Sequence, residues 1–183
     1  MSAASQANSV AQLLVPDRAT EHVLGPDSAP VTVVEFGDFE CPSCRQAHPA
    51  VQMMLSHFGK QVRFAFRHFP LREVHPHAEL AAEAAEAAGA QGKFWPYAEL
   101  LFNHQSHLDN RHLDSYAAQL GLDMARFENE LKDNVYRQRV QEQVELGRRL
   151  SVRATPTFYV NGVFTDVSFG LQHLREAIDR ALR

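Results

Sequence analysis

Only two cysteines are present in this chain, Cys41 and Cys44, three positions apart. A bond between them closes a very small loop and removes little entropy from the unfolded chain, so the pair is poorly placed to be structural. No second C-x-x-C exists, which leaves a tetrahedral zinc site two ligands short. Long runs of lysine or arginine are missing too, and the net charge is −4, which argues against a nucleic-acid groove or a basic membrane patch. No apolar run approaches the length needed to cross a bilayer. Residues 1 to 25 lack a positive stretch followed by a continuous apolar one. The expectation is therefore a cytoplasmic protein, with a periplasmic or exported location kept for a chain whose leader has been removed. With 183 residues, 45% of them hydrophobic, there is enough material for one core or for one core with a sizeable insertion.

Residues 1–28 are polar and punctuated by Pro16 and Gly25-Pro26, and read as an arm. Val31 to Phe36 is β-branched and nearly continuously apolar, as in a strand buried on both faces, with Glu35 as its one charged member. From Cys41 the spacing turns helical: Pro42 suits the first turn, and Ala47, Val51, Met54, Leu55 and Phe58 share a stripe that ends at Gly59. Val62 to Phe69 alternates and stops at Pro70, giving a second strand and a right-handed β-α-β unit. Residues 72–150 are helical in character, with segments His77 to Ala88, Phe94 to Phe102, Leu113 to Leu120, Asp123 to Leu131 and Val135 to Leu150. Leu100, Leu101, Val140, Val144 and Leu146 are expected to fill this insertion's own core. Pro156 to Val160, an Asn161-Gly162 hairpin turn, Val163 to Thr165 and a helix from Leu171 to Leu182 close the chain. The order β-α-β, helices, β-β-α is that of an α/β, thioredoxin-like fold. Its core is residues 29–71 and 151–183, and residues 72–150 form a helical insertion.

The chemistry lies at the start of the first helix. A thiol reacts as its thiolate, and unpaired N–H groups and the helix dipole stabilise that anion at a helix N-terminus. Cys41 holds this position as the nucleophile. Cys44, one turn later on the same face, is placed to resolve a mixed disulfide. Two buried apolar side chains, or half of a metal site, are the plain alternatives. Pro42 and Ser43 form the loop between the thiols, and Ser43 supplies none of the positive charge that an imidazole would. Glu35 has two readings: a buried carboxyl that moves a proton to or from Cys44, or a carboxylate paired with Arg63 or Arg67. The ten histidines, His75 with His77 and His104 with His107 among them, read as solvated surface groups or helix-end charges, and no metal is expected. Phe94-Trp95-Pro96-Tyr97 reads as a core anchor.

The stretch Val33 to Cys44 resembles the active-site strand and helix start of DsbA-like thiol-disulfide oxidoreductases of the thioredoxin superfamily, thioredoxin-4 type. Phe66 to Leu71, the Ala-rich helix, Gln91 to Trp95 and Ala154 to Phe158 resemble the same family, over about residues 25 to 182. The resemblance implies that Thr155-Pro156 forms a cis-proline loop beside the cysteines, where a substrate strand pairs by β-augmentation. It also implies the proton-handling role for Glu35. Ser43 points to a reduction potential between about −120 and about −270 mV, away from the most oxidising end. The expected activity is disulfide exchange with protein or peptide thiols. No bound cofactor is expected; glutathione, another thiol or a partner protein is the redox partner, and the compartment sets the direction. Two alternatives stay open: a glutathione-dependent transferase or isomerase, against which Cys44 counts, and a redox-sensing or peptide-binding module without turnover. Oligomeric state and individual substrates are not readable.

Overall fold

The computed structural model describes residues 12–183; the part of the N-terminal arm formed by residues 1–11 lies outside the described residues. Five strands form one mixed sheet: β1 (His22–Leu24), β2 (Val31–Gly37), β3 (Val62–His68), β4 (Thr157–Val160) and β5 (Val163–Thr165). Their order is β1-β3-β2-β4-β5. The β2 and β3 pair is parallel, with Glu35 opposite Phe66 and Gly37 opposite His68. The other three pairings are antiparallel. The helices among the described residues are α1 (Pro42–Phe58), α2 (Ala78–Gly89), α3 (Phe94–Asn103), α4 (Asn110–Gln119), α5 (Met124–Lys132), α6 (Arg137–Arg149) and α7 (Gln172–Ala181). This is the thioredoxin-like fold with helices interposed between β3 and β4.

The elements follow from local chemistry. Pro42 sits in the first turn of α1, where its missing N–H costs nothing. Asp109 and Asp123 cap α4 and α5, their carboxylates accepting from the N–H groups of His112 and Arg126. Asn161 and Gly162 both have positive φ, as the hairpin between β4 and β5 requires. The Asn161 side chain also accepts from the Thr32 N–H at 2.7 Å, locking this turn onto β2.

Strand alternation divides the core in two. Val31, Val33, Phe64, Phe66, Phe158 and Val160 face one side, where α1, α7 and helices α2 to α5 cover them. Val34, Phe36, Ala65, Phe69 and Tyr159 face the other, covered by Leu14, Val152 and residues of α6.

Two expectations change. The arm is not outside the fold: His22 to Leu24 adds an edge strand to β3, and Leu14 is buried. Both faces of β3 are covered, so its period-2 pattern separates two cores. Val144 and Leu146 do not fill the insertion's own core. They pack with Leu150 against the sheet, so α6 is a layer of the central domain. Gly147 permits the close approach, since a Cβ there would lie 2.6 Å from the Phe69 ring.

Candidate active site

Strand β2 ends at Gly37, and the next four residues turn the chain into α1. The turn is tied internally: the Cys41 N–H donates to the Asp38 carbonyl at 3.1 Å, and Asp38 Oδ1 accepts from the Glu40 N–H at 2.8 Å. Asp38 is buried, and its Oδ2 accepts from the Leu71 N–H at 2.8 Å and lies 2.7 Å from His75 Nδ1. Glu40 accepts from the His77 N–H at 2.7 Å. The segment after β3 is thereby pinned under the redox turn.

Cys41 occupies the N-cap of α1 in an extended conformation, φ −73° and ψ 121°. Both thiols are free and buried, Cys44 completely. The Cys41 thiol is lowered to about 5, chiefly because the Cys44 thiol donates to it; the Thr155 side chain and the backbone N–H groups of Cys44 and Ser43 add to this against the opposing effect of burial. Cys44 is pushed well above the ordinary thiol range, first by burial, then by giving its proton toward Cys41 and by the nearby Glu35 and Cys41 charges. One thiol is made an anion and the other kept a proton donor.

Thr155 and Pro156 close the site from the opposite side of the sequence. Their peptide bond is cis. The Cys41 thiol donates to the Thr155 carbonyl at 3.3 Å. The Thr155 hydroxyl is buried with no other hydrogen-bond partner, which leaves it to donate to the sulfur once that is a thiolate. Pro42 and Ser43 are exposed around the thiol pair.

Glu35 is 4% exposed and faces the α1 side of β2. Burial, with a smaller push from the Cys41 charge, raises its carboxyl to about 8. The pairing with Arg63 or Arg67 is not formed. Arg67 binds the Glu21 carboxylate and the Leu13 carbonyl, and Arg63 donates to the Thr32 hydroxyl at 2.7 Å. Glu35 instead borders a cavity of about 280 Å³ between α1, α3 and the sheet, with His48, Gln52 and Glu99 also in its wall.

The histidines are not all solvated. His68 is fully buried at the end of β3, its Nε2 2.9 Å from Glu86 Oε1. His22 Nε2 lies 3.0 Å from the same oxygen and stacks on Phe94, while Arg139 donates to Glu86 Oε2 at 2.7 Å. Burial lowers His68; burial pushes Glu86 up, but the two histidines beside its carboxylate hold it far below the carboxylate range. Among the described residues no cluster of histidine, cysteine and carboxylate groups suits a metal ion. Nor is any helix among them long and apolar enough to cross a membrane. Phe94 and Tyr97 are buried, as an anchor should be. Asp38, His75 and Gln105, which reaches the redox turn from the insertion, were not legible: their partners are 33 to 66 positions away.

A family model described as thioredoxin matches residues 17–180. Among curated proteins, the chain is 47% identical over 173 residues to the Na(+)/H(+) antiporter NhaA 1 of Salinispora arenicola, covering 94% of this chain and 26% of that protein. The chain spans about a quarter of the length of the curated relatives it matches. Among solved structures, a thioredoxin-like oxidoreductase from Silicibacter pomeroyi superimposes with a TM-score of 0.82 at 28% identity, covering 93% of this chain and 96% of that one. Oxidised BdbD from Bacillus subtilis does so with a TM-score of 0.80 at 27% identity, covering 91% and 95%. Sheet, thiol pair and proline loop all lie within a match that runs nearly end to end, and the chain belongs to the thioredoxin family, its fold that of the DsbA-like thiol-disulfide oxidoreductases.

Proposed function

We propose that the chain exchanges disulfides with protein or peptide thiols through the Cys41-Pro42-Ser43-Cys44 pair. The observation that carries this reading is the placement of two free thiols on one helical turn, Cys41 at the N-cap of α1 beside the Thr155 carbonyl and Cys44 fully buried behind it, which lowers Cys41 to about 5 and raises Cys44 well above the ordinary range. Cys41 is then almost wholly thiolate at neutral pH, whereas an ordinary thiol is only a few per cent ionised.

In the reducing direction the Cys41 thiolate attacks one sulfur of a substrate disulfide. The substrate S–S bond breaks, a mixed disulfide forms, and the leaving thiolate takes a proton. Cys44, losing its proton to Glu35, attacks Cys41 Sγ and releases the second substrate sulfur. The substrate has gained two electrons and the enzyme holds a Cys41–Cys44 disulfide. The same steps reversed oxidise a dithiol. The Thr155-Pro156 loop presents backbone to the substrate beside Cys41, and Glu35 serves as the proton carrier.

No bound cofactor is needed, because electrons arrive from or leave to another thiol, glutathione or a partner protein. In a reducing cytoplasm, the location expected from the sequence, the pair rests reduced and acts as a reductase or isomerase; in an oxidising compartment it acts as an oxidant.

Insulin reduction and refolding of reduced ribonuclease, run on wild type and Cys41→Ala, test the reading. Both activities are expected in the wild type and neither in the variant. Activity that survives the substitution overturns the mechanism, and a wild type that binds unfolded peptide without turnover would favour the binding module.

A further inference from the structure

The turn that brings Cys41 to the start of α1 is completed from outside. Asp38 satisfies its inner N–H groups, but the Phe39 and Cys41 carbonyls belong to no such arrangement within the turn. One side chain meets both: Gln105 Nε2 donates to the Phe39 carbonyl at 2.7 Å and to the Cys41 carbonyl at 2.8 Å. Gln105 lies half-buried in the loop between α3 and α4, 64 positions after Cys41. Two carbonyl oxygens at that spacing demand the amide nitrogen, since the amide oxygen turned toward them would be repelled.

We propose that Gln105 is a positioning residue of the redox site, through which the helical insertion holds the Phe39–Cys41 turn and keeps Cys41 at the helix start. The proposal rests on the reading of Cys41 as the nucleophile. The Cys41 carbonyl also accepts the first helical hydrogen bond, from the Arg45 N–H at 3.1 Å. An oxygen has two lone pairs, so the Gln105 donor adds to that bond rather than replacing it. Its effect on the sulfur is twofold. It fixes the extended backbone that sets Sγ toward the Ser43 and Cys44 N–H groups. It also places N–H dipoles against carbonyl oxygens whose negative ends oppose a nearby thiolate. No substrate contact is required of Gln105; it acts on Cys41 through the backbone.

Three full-length variants test this. Gln105→Leu keeps the volume and removes both donors, Gln105→Glu turns a carboxylate onto the two carbonyls, and Gln105→Asn, one methylene shorter, perturbs folding least. The readouts are the pH dependence of thiolate absorbance for Cys41 and the equilibrium with reduced and oxidised glutathione. Loss of the donors in Gln105→Leu is expected to raise the Cys41 midpoint by about 0.5 to 1 pH unit. A less stabilised thiolate makes the reduced form less stable, so the equilibrium moves about three- to tenfold toward the disulfide. Gln105→Glu moves both readouts further, and Gln105→Asn falls between wild type and Gln105→Leu. Midpoints and equilibria that match wild type in all three overturn the proposal, whatever happens to their melting temperatures. If wild type itself shows no low-pH thiolate or forms no disulfide with glutathione, the reading of the thiol pair fails first, before any variant is compared.

Discussion

Replacing Glu35 by glutamine separates the cost of burying a carboxylate from its use. In the folded protein this carboxyl is raised from 4.5 to about 8, first by burial and then by the Cys41 charge. Below about pH 4.5 the group is neutral in both folded and unfolded chains. Between about 4.5 and 8 the unfolded chain gives up its proton while the folded one keeps it, so stability falls as pH rises through this window and levels off above it. At 1.36 kcal/mol per unit, the loss is on the order of 3–5 kcal/mol. Glutamine has no proton to lose. Urea unfolding at pH 4 and pH 9 should therefore show Glu35→Gln gaining about 3–5 kcal/mol on wild type between the two conditions, whatever its offset at pH 4. Repeating the pair in a Cys41→Ser background removes the thiolate contribution and leaves the burial one, which should be the larger share. The same substitution should slow the step in which Cys44 resolves a mixed disulfide by about 100-fold, the lower end for general acid–base help, and flatten its rise toward pH 8. A pH 9 minus pH 4 difference indistinguishable from wild type would falsify the account of a carboxyl held neutral by burial. An unchanged resolution profile would remove Glu35 from the proton path.

Thr155→Val keeps the shape and deletes the hydroxyl that favours the Cys41 thiolate; the absorbance midpoint of Cys41 should rise by about 0.5 to 1 unit, and no rise would show that the hydroxyl does not serve the sulfur. Glu86→Gln removes the buried carboxylate shared by His68 and Arg139; Arg139 is 37% exposed and can turn to water, so the expected loss in urea unfolding is that of a buried hydrogen-bond partner, about 1–3 kcal/mol. Below about pH 6.5 the unfolded chain takes up a proton that buried His68 refuses, so wild type should lose stability relative to His68→Gln between pH 7 and 5, a difference that cancels the opposite trend from Glu35; an unchanged difference would contradict that. Gly147→Ala, whose methyl would meet the Phe69 ring, should cost about 1–3 kcal/mol by calorimetry while leaving the Cys41 midpoint in place.

What sequence reading reached is what local pattern writes. The continuous apolar run of β2, the stripe of α1 behind Pro42, and Asn161-Gly162 each carry their signal within a few residues, and each element stands where its pattern put it. Three residues of β1 carry too little periodicity to show, and its pairing with β3 is fixed by register in a different segment. Val144 and Leu146 lie on an amphipathic helix whose apolar stripe says only that it is covered; whether sheet or helices cover it depends on Gly147 meeting Phe69. His68 read as surface because histidine is polar, yet its partner Glu86 sits in an Ala/Glu run that looked like ordinary helix composition. The thiol pair was legible because its chemistry is contiguous. Its support was legible only in part: the family resemblance implied the Thr155-Pro156 loop, whereas Asp38, His75 and Gln105 converge through contacts across separate parts of the chain that no local pattern writes.

That convergence has a chemical consequence for the proton at Glu35. The pocket around the thiols tolerates one negative charge well: the Cys41 thiolate is met by N–H groups and a thiol proton, whereas the buried Glu35 carboxyl is opposed by that same thiolate. Forming the Cys41–Cys44 bond removes the thiolate. The electrostatic part of the push on Glu35 then disappears and the burial part remains, so its pKa drops on oxidation but stays above the ordinary carboxylate range. Oxidation therefore makes Glu35 a stronger acid and reduction makes it a stronger base. During reduction of the enzyme disulfide, Cys44 leaves as a thiolate that burial disfavours, and a carboxyl still holding its proton is what it needs; during resolution it must lose that proton, and a carboxylate beside it is the available acceptor. In both steps Cys41 is bonded to sulfur and its thiolate is absent, so the proton carrier proposed at Glu35 would work from the same, less raised state in either direction. This is why the direction of exchange is left to the potential of the partner thiols rather than to the proton chemistry of the site.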